Sequence, residues 1–295
     1  MRELSRLVGK SFLLAAAAMA YGLGGMPAAR GQTAYQFTTL DDPAGVVTRI
    51  FGISGNLIVG EYGTSQGNQG FVYNGSTFIT LSVPDSTLTN VSGISGNEIV
   101  GNYFNTNGVS HAYLYNGSTY TTLDDPSGTS DSALGVSGNT IVGEYIDSNK
   151  QQHGFVYNGS AFAALDYPST GAGTIAEGVS DGVIVGTYGF GQSQSGFTYN
   201  GTAYTALNDP LAQPVGDSGA FTQALGISGQ MVVGDYLDSN GNSHGFIYNG
   251  SSYMTLDDPL GINTTITGID GTTIVGYWGN PNTDSAGGFI ATPVP

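Results

Sequence analysis

Three histidines, His111, His153 and His244, stand in matching contexts: His111-Ala112-Tyr113, His153-Gly154-Phe155 and His244-Gly245-Phe246. Imidazole is a metal ligand and a proton carrier near neutral pH, so a converging set would be a candidate metal site. Carboxylates form a second group. Asp41/Asp42, Asp124/Asp125 and Asp257/Asp258 each precede a proline, and Asp166 and Asp209 occupy related places. The segment Asp238-Ser239-Asn240-Gly241-Asn242 gathers carboxylate and amide oxygens of the kind Ca²⁺ takes, which makes Asp238 and Asn240 candidate metal ligands. It lacks a glutamate at the EF-hand distance, and aspartate also terminates strands and forms turns. Serine recurs in Gly-x-Ser-Gly, and that recurrence argues for a turn rather than a nucleophile elbow.

The elements that position these residues repeat. The motif appears as Gly52-Ile53-Ser54-Gly55, Gly93-Ile94-Ser95-Gly96, Gly135-Val136-Ser137-Gly138, Gly178-Val179-Ser180-Asp181, Gly226-Ile227-Ser228-Gly229 and Gly268-Ile269-Asp270-Gly271. The spacings are 41, 42, 43, 48 and 42 residues. Each copy leads into a Val-Gly-x-aromatic strand, an aromatic strand such as Gly70-Phe71-Val72-Tyr73, an Asn-Gly turn and a last strand such as Phe78-Ile79-Thr80-Leu81. Asn-Gly between β-rich runs predicts a hairpin with a type I′ turn. Four short strands, labelled a to d, in about 42 residues make the size of a propeller blade.

The ends of the array sharpen this reading. The last unit stops at Gly288-Phe289-Ile290-Ala291 without a strand d, while Phe37-Thr38-Thr39-Leu40-Asp41-Asp42-Pro43 is an orphan strand d near the start. A six-bladed all-β propeller of four-stranded blades, closed by its N-terminal strand, is therefore expected over 35–291, with an open array as the alternative. In that fold the three histidines sit on strand c of different blades, third from the axis, and do not converge. The repeated glycine of Val-Gly-x-Tyr is expected to mark a close approach to the next blade.

Composition sets the boundaries. Glycine supplies 48 of 295 residues, there are 18 tyrosines, and cysteine is absent, so neither disulfides nor thiolate metal sites occur. Residues 1–34 have a signal-peptide layout: Arg2, Arg6 and Lys10, then an apolar run too short to span a bilayer, then small residues. Beyond that leader only Arg49 and Lys150 remain against 21 acidic residues, a net charge near −19. Such a surface repels nucleic acid and anionic membranes and has almost no arginine to grip phosphate or sulfate.

The Gly-Ile-Ser-Gly/Val-Gly-x-Tyr core and the His-Ala-Tyr or His-Gly-Phe segments resemble the HAF-repeat proteins, extracellular repeat proteins of bacteria. The resemblance covers nearly all of 35–291. It implies export and a repetitive β fold, and brings no activity or catalytic residues with it. The departures are Gln69, Ser195 and Gly287, which stand in the histidine position. The tail at 292–295, Thr292-Pro293-Val294-Pro295, is similar to the start of a PEP-CTERM sorting segment but lacks its Pro-Glu-Pro motif, spanning helix and basic end.

With strand d outermost, the a–b and c–d turns share one face and are nearly invariant. The b–c and d–a loops share the other and vary. Variable loops on a rigid scaffold are where binding resides, so function is expected on that face. Its candidate ligand-binding residues are Asp124, Asp125, Asp257 and Asp258, with Asp217 and Phe221 from the longest loop. The expected function is a secreted or cell-surface, monomeric, non-enzymatic binding or matrix module for a neutral glycan or a protein, with Ca²⁺ as a candidate cofactor. The alternatives are a Ca²⁺-dependent hydrolase or lactonase centred on the channel, for which Glu177 and Asp217 are the acidic residues, and a purely structural role.

Overall fold

The computed structural model describes residues 34–294, apart from 66, 169–172, 190–192, 217–218 and 284. The expected leader, except Ala34, and Asp217 lie outside the described residues. Six four-stranded antiparallel sheets form the whole architecture, at 48–81, 88–122, 130–165, 174–207, 222–255 and 263–293, the last completed by 35–39. Blade 1 shows the plan: strand a is Thr48–Ser54, strand b Leu57–Thr64, strand c Gly67–Tyr73 and strand d Phe78–Leu81. The six a strands touch their neighbours all the way round, including blade 6 against blade 1. The fold is a closed six-bladed β-propeller.

Closure uses the first strand of the described residues. Tyr35–Thr39 pairs antiparallel with Ser285–Pro293, from Tyr35 opposite Pro293 to Thr39 opposite Phe289, and Phe37 packs edge-on against Phe289 at 5.3 Å. The last strand therefore runs past the expected boundary at Ala291, taking Thr292 and Pro293 out of the tail and into the sheet.

Both kinds of turn are built by the repeat. In the a–b turn of blade 1, Ser54 pairs with Leu57 and Gly55 takes φ +58°. Ser54 Oγ accepts the Gly96 N–H of the next blade at 2.9 Å; Ser180 and Ser228 do the same for Gly229 and Gly271. Asp270 closes the series by accepting the Gly55 N–H at 2.6 Å, from blade 6 to blade 1. The recurrent serine is thus a stitch between blades.

The c–d turn differs from the expected type I′ hairpin. Tyr73 pairs with Phe78, which leaves a four-residue loop in which Gly75 alone has positive φ. Asn74 Oδ1 accepts the N–H groups of Ser76 and Thr77, and Asn116, Asn158, Asn200 and Asn249 repeat the pattern. Here asparagine is chosen for its side-chain acceptor rather than for left-handed backbone.

The glycine of Val-Gly-x-Tyr also acts differently from expectation. A Cβ on Gly143 would overlap the Ser132 carbonyl of its own blade and lie 2.8 Å from Phe155 Cζ. The close approach is therefore to strand a and the strand c aromatic of the same blade. Contact with the next blade belongs instead to the first glycine of Gly-x-Ser-Gly: a Cβ on Gly93 would lie 2.5 Å from the Leu134 carbonyl.

These clashes involve backbone and rigid rings, so relief requires moving a strand. Gly143→Ala is expected to destabilise by about 3 kcal/mol, the upper part of the overpacking range. For a domain of this size that is a fall of roughly 6–12 °C in Tm. Gly279→Ala, where a Cβ meets nothing within 4 Å, is the matched control and should melt like the parent.

Candidate functional site

The histidines form three separate braces. His111 Nδ1 meets Asp124 Oδ2 at 2.8 Å, its Nε2 meets Asn105 Nδ2 at 2.9 Å, and its ring stacks on Tyr103. His153 lies between Asp166 and Asp147 and stacks on Tyr145. His244 lies between Asp257 and Asp238 and stacks on Tyr236. Each imidazole ties the end of strand d to the start of the b–c loop in its own blade. Where the histidine is replaced by Ser195, Tyr167 covers Tyr188 in a parallel stack at 3.6 Å, and beside Gly287 the wide Trp278 fills the space.

The candidate aspartates are likewise committed. Asp124 and Asp257 hold histidines. Asp125 and Asp258 are buried, and their Oδ1 atoms accept the N–H two residues on, from Ser127 and Leu260. Asp238 accepts the N–H groups of Asn240 and Asn242 and both their side-chain amides, which holds its carboxyl well below the usual range. Asn240 is exposed, and its side-chain amide donates to Asp238 Oδ2 at 3.3 Å. Phe221 is half-buried, in an isolated bridge with Gln194, and its carbonyl accepts the Leu237 N–H at 3.2 Å. Among the described residues no three His, Asp or Glu side chains are arranged to hold a metal ion.

One cavity lies on the axis. It measures about 470 Å³ and is lined by the a strands and by side chains of strand b. Every a strand has a β-bulge at the same place, between Ile50 and Gly52 in blade 1 and at the matching residues in the other five. The bulged residues, Phe51, Ser92, Leu134, Glu177, Leu225 and Thr267, line the channel. Toward the variable loops, strand b contributes Glu61, Asn102, Asp235 and Tyr277, each at the x of Val-Gly-x-aromatic. Sequence reasoning found Glu177 and missed Glu61 and Asp235; their polar character at a repeated strand position was the available signal.

Burial pushes the Glu177 carboxyl up to about 8, and the like charges of Glu144 and Asp235 add to the rise. Glu177 keeps part of its surface open to the channel, and the protein packed around the rest of it governs its ionisation. Burial likewise raises Glu144 and Asp235 to about 6, the latter against a hydrogen bond from Ser243.

A second cavity, about 390 Å³, follows the outer strand of blade 3 at the rim. It runs from Asp125, Pro126 and Ser127 to Ser160, with Tyr145, Phe162 and Ala164 along its floor. In blades 1, 2 and 5 the equivalent tyrosine hydroxyl bonds a strand d threonine, as in Tyr236–Thr255 at 3.0 Å. Ala164 offers Tyr145 no hydroxyl, and the missing atoms open the groove.

No family model and no curated protein matches the chain. Solved structures do. The β-propeller domain of the Trilobed protease from Pyrococcus furiosus, described as having an open velcro topology, superposes with a TM-score of 0.52 at 10% identity, covering 84% of this chain and 85% of that one. An arginine-to-alanine variant of AofleA from Arthrobotrys oligospora gives 0.52 at 12% identity, covering 89% and 88%. The likeness is one of fold. A looser one, 0.48 at 14% identity over 71% of this chain and 78% of that one, is to the six-bladed, fucose-recognising lectin of Aleuria aurantia.

The ionisation pattern fixes a pH dependence. Glu144, Glu177 and Asp235 have raised folded values, so the folded state binds more protons than the unfolded between the ordinary carboxylate range and about pH 8, and stability falls as pH rises through that window. Burial opposes charge on His244, but the hydrogen bonds and charges of Asp257 and Asp238 outweigh it and raise its value. Its contribution is present in mild acid and is lost as pH climbs, in the same sense. Asp147 and Asp238, held low by their loop N–H groups, act oppositely, and only in stronger acid. Thermal melts should therefore show a Tm maximum in mild acid and a fall toward pH 8. A Tm that rises steadily from pH 5 to pH 8 would contradict this assignment.

Proposed function

We propose that the protein is a secreted, non-enzymatic binding module that takes a neutral glycan at its variable-loop side. The rim groove of blade 3, which begins at the d–a loop of Asp125–Ser127 and runs along strand d to the c–d turn, carries this reading. It sets the half-buried Phe162 ring and the exposed Ser127 and Ser160 hydroxyls around the largely buried Tyr145, and sugars are bound by such aromatic contact plus hydrogen bonding. The strongly acidic composition repels anionic glycans, which leaves neutral ones. The leader-like segment and the HAF-repeat resemblance support export. The exposed apolar residues Val46, Leu211 and Leu260 all lie on d–a loops, which makes that face the sticky one. A surface protein is the alternative ligand on the same face.

The test is an array of neutral and anionic oligosaccharides probed with the purified protein and with Ala164→Thr. The added hydroxyl and methyl fill the groove and re-create the tyrosine–threonine bond of blades 1, 2 and 5, so stability should hold or rise. Binding to neutral glycans should drop at least tenfold, about 1.4 kcal/mol. Retained binding in the variant would remove the groove from the reading; a blank array for the parent would pass the face to a protein ligand.

A further inference from the structure

The axial channel holds carboxylates without a matching cation. Glu177 and Asp235 line it from blades 4 and 5, and the like charges of Asp235 and of Glu144 in blade 3 add to the proton affinity of Glu177. Arg49 and Lys150 are the only arginine and lysine among the described residues. Arg49 is spent on Glu61 at 3.2 Å, with its guanidinium 5.8 Å from the Tyr277 ring centre. Lys150 lies on the b–c loop of blade 3.

Asp235 supplies an independent observation. It lines the cavity, is only 5% exposed, and its Oδ1 is buried with no hydrogen-bond partner, while Oδ2 takes the Ser243 hydroxyl at 2.6 Å. A buried carboxylate oxygen left bare is costly, and ordinary structures avoid it. A glycan brings neutral hydroxyls, which leave the charge unmatched. Bare metal ions need several converging oxygens, and no such set is present among the described residues. The walls are apolar beside the acids: Phe51, Leu134 and Leu225 stand at the bulge level. Closer to the a–b turns the channel passes a collar of Ile53, Ile94, Val136, Val179, Ile227 and Ile269.

We infer that the axial channel is a binding site for a primary alkylammonium group, its charged head between Asp235 and Glu177 and its hydrocarbon chain against the Phe51, Leu134 and Leu225 walls. The head receives charge-assisted hydrogen bonds from carboxylates in a place of low polarity, where they are strongest. The Phe51 and Tyr277 rings, set edge-to-face at 6.4 Å, offer the cation π surface nearby. The chain covers apolar wall that water wets poorly. A free amine and a lysine side chain share this chemistry.

Binding requires ionised acids, and the groups that face Glu177 are Glu144 and Asp235, with Glu61, Arg49 and Tyr277 across the channel. Glu177 titrates at about 8, so near neutral pH the ligand displaces a proton from it. An alkylammonium keeps its own charge throughout this range, its value lying near that of lysine, about 10.4. Affinity should therefore rise with pH, by up to about tenfold per unit below the Glu177 value.

The experiment is isothermal titration of the purified protein with n-pentylamine, in two buffers of different ionisation enthalpy at pH 7, with 1-pentanol as the uncharged probe. The expected result is one amine per chain, close to one proton released, and no measurable binding of pentanol. Glu177→Gln and Asp235→Asn should each weaken amine binding at least tenfold while raising Tm, because each removes an acid that must take up a proton or bury its charge when the chain folds. That opposition of stability and binding is what a merely structural role would not produce. Nα-acetyl-lysine methylamide separates the sources: tighter binding than pentylamine assigns the site to lysine side chains, weaker binding to free amines. Absence of pentylamine binding, or binding that is indifferent to pH and to both substitutions, overturns the proposal.

Discussion

Six strands must pass one axis closely enough to touch, and that crowding governs the rest of the molecule. At Gly135 a Cβ would lie 2.8 Å from the Glu177 carbonyl, and at Gly226 2.9 Å from the Thr267 carbonyl. Side chains are excluded at this level, and the inner strands meet backbone to backbone. The bulge one residue earlier is the compensating device: it turns one side chain per blade toward the axis and sharpens the local twist. Channel chemistry is consequently written by six residues that the packing leaves free to differ. Phenylalanine, serine, leucine, glutamate, leucine and threonine occupy them in turn.

Much of this was legible because the repeat compares the chain with itself. The orphan strand at Phe37-Thr38-Thr39-Leu40 is nearly a copy of Tyr120-Thr121-Thr122-Leu123, and from that identity the closed ring followed. Glu177 was visible as an acidic residue beside the inner-strand motif. Glu61 and Asp235 were not, because one repeat cannot show that strand b, second from the axis, still sends its x residue into the channel. The Asn-Gly turn failed for a related reason. Which residues of a turn take positive φ depends on loop length, and the pairing of Tyr73 with Phe78 is a tertiary fact. The paired aspartates were legible as turn formers and as ligands alike; only their hydrogen bonds to His111, His244, Ser127 and Leu260 separate the two.

The histidine position shows how the blades tolerate variation. An imidazole braces three of them, and each is wedged between a tyrosine face and carboxylate or amide groups on two loops. Where serine or glycine stands instead, the volume is made up differently: Tyr167 stacks on the strand b tyrosine in one case, and the strand b aromatic is itself the wider Trp278 in the other. What the blade needs is a filled space over the strand b aromatic; hydrogen bonding is an addition. The indole N–H of Trp278, buried without a partner, shows that volume is satisfied before polarity.

The joining of Tyr35–Thr39 to Ser285–Pro293 has a consequence in time as well as in space. A chain emerges from the ribosome N-terminus first, and most of a propeller's contacts are local to one blade. Blades 1 to 5 can each assemble as they appear. Tyr35–Thr39, by contrast, must wait for Ser285–Pro293, at the opposite end of the described residues. Until then Tyr35–Thr39 is a lone strand with unpaired backbone, and blade 6 has an open edge facing it. The ring is thus a clasp whose two halves are made far apart in time, so it can close only after all six blades have been synthesised.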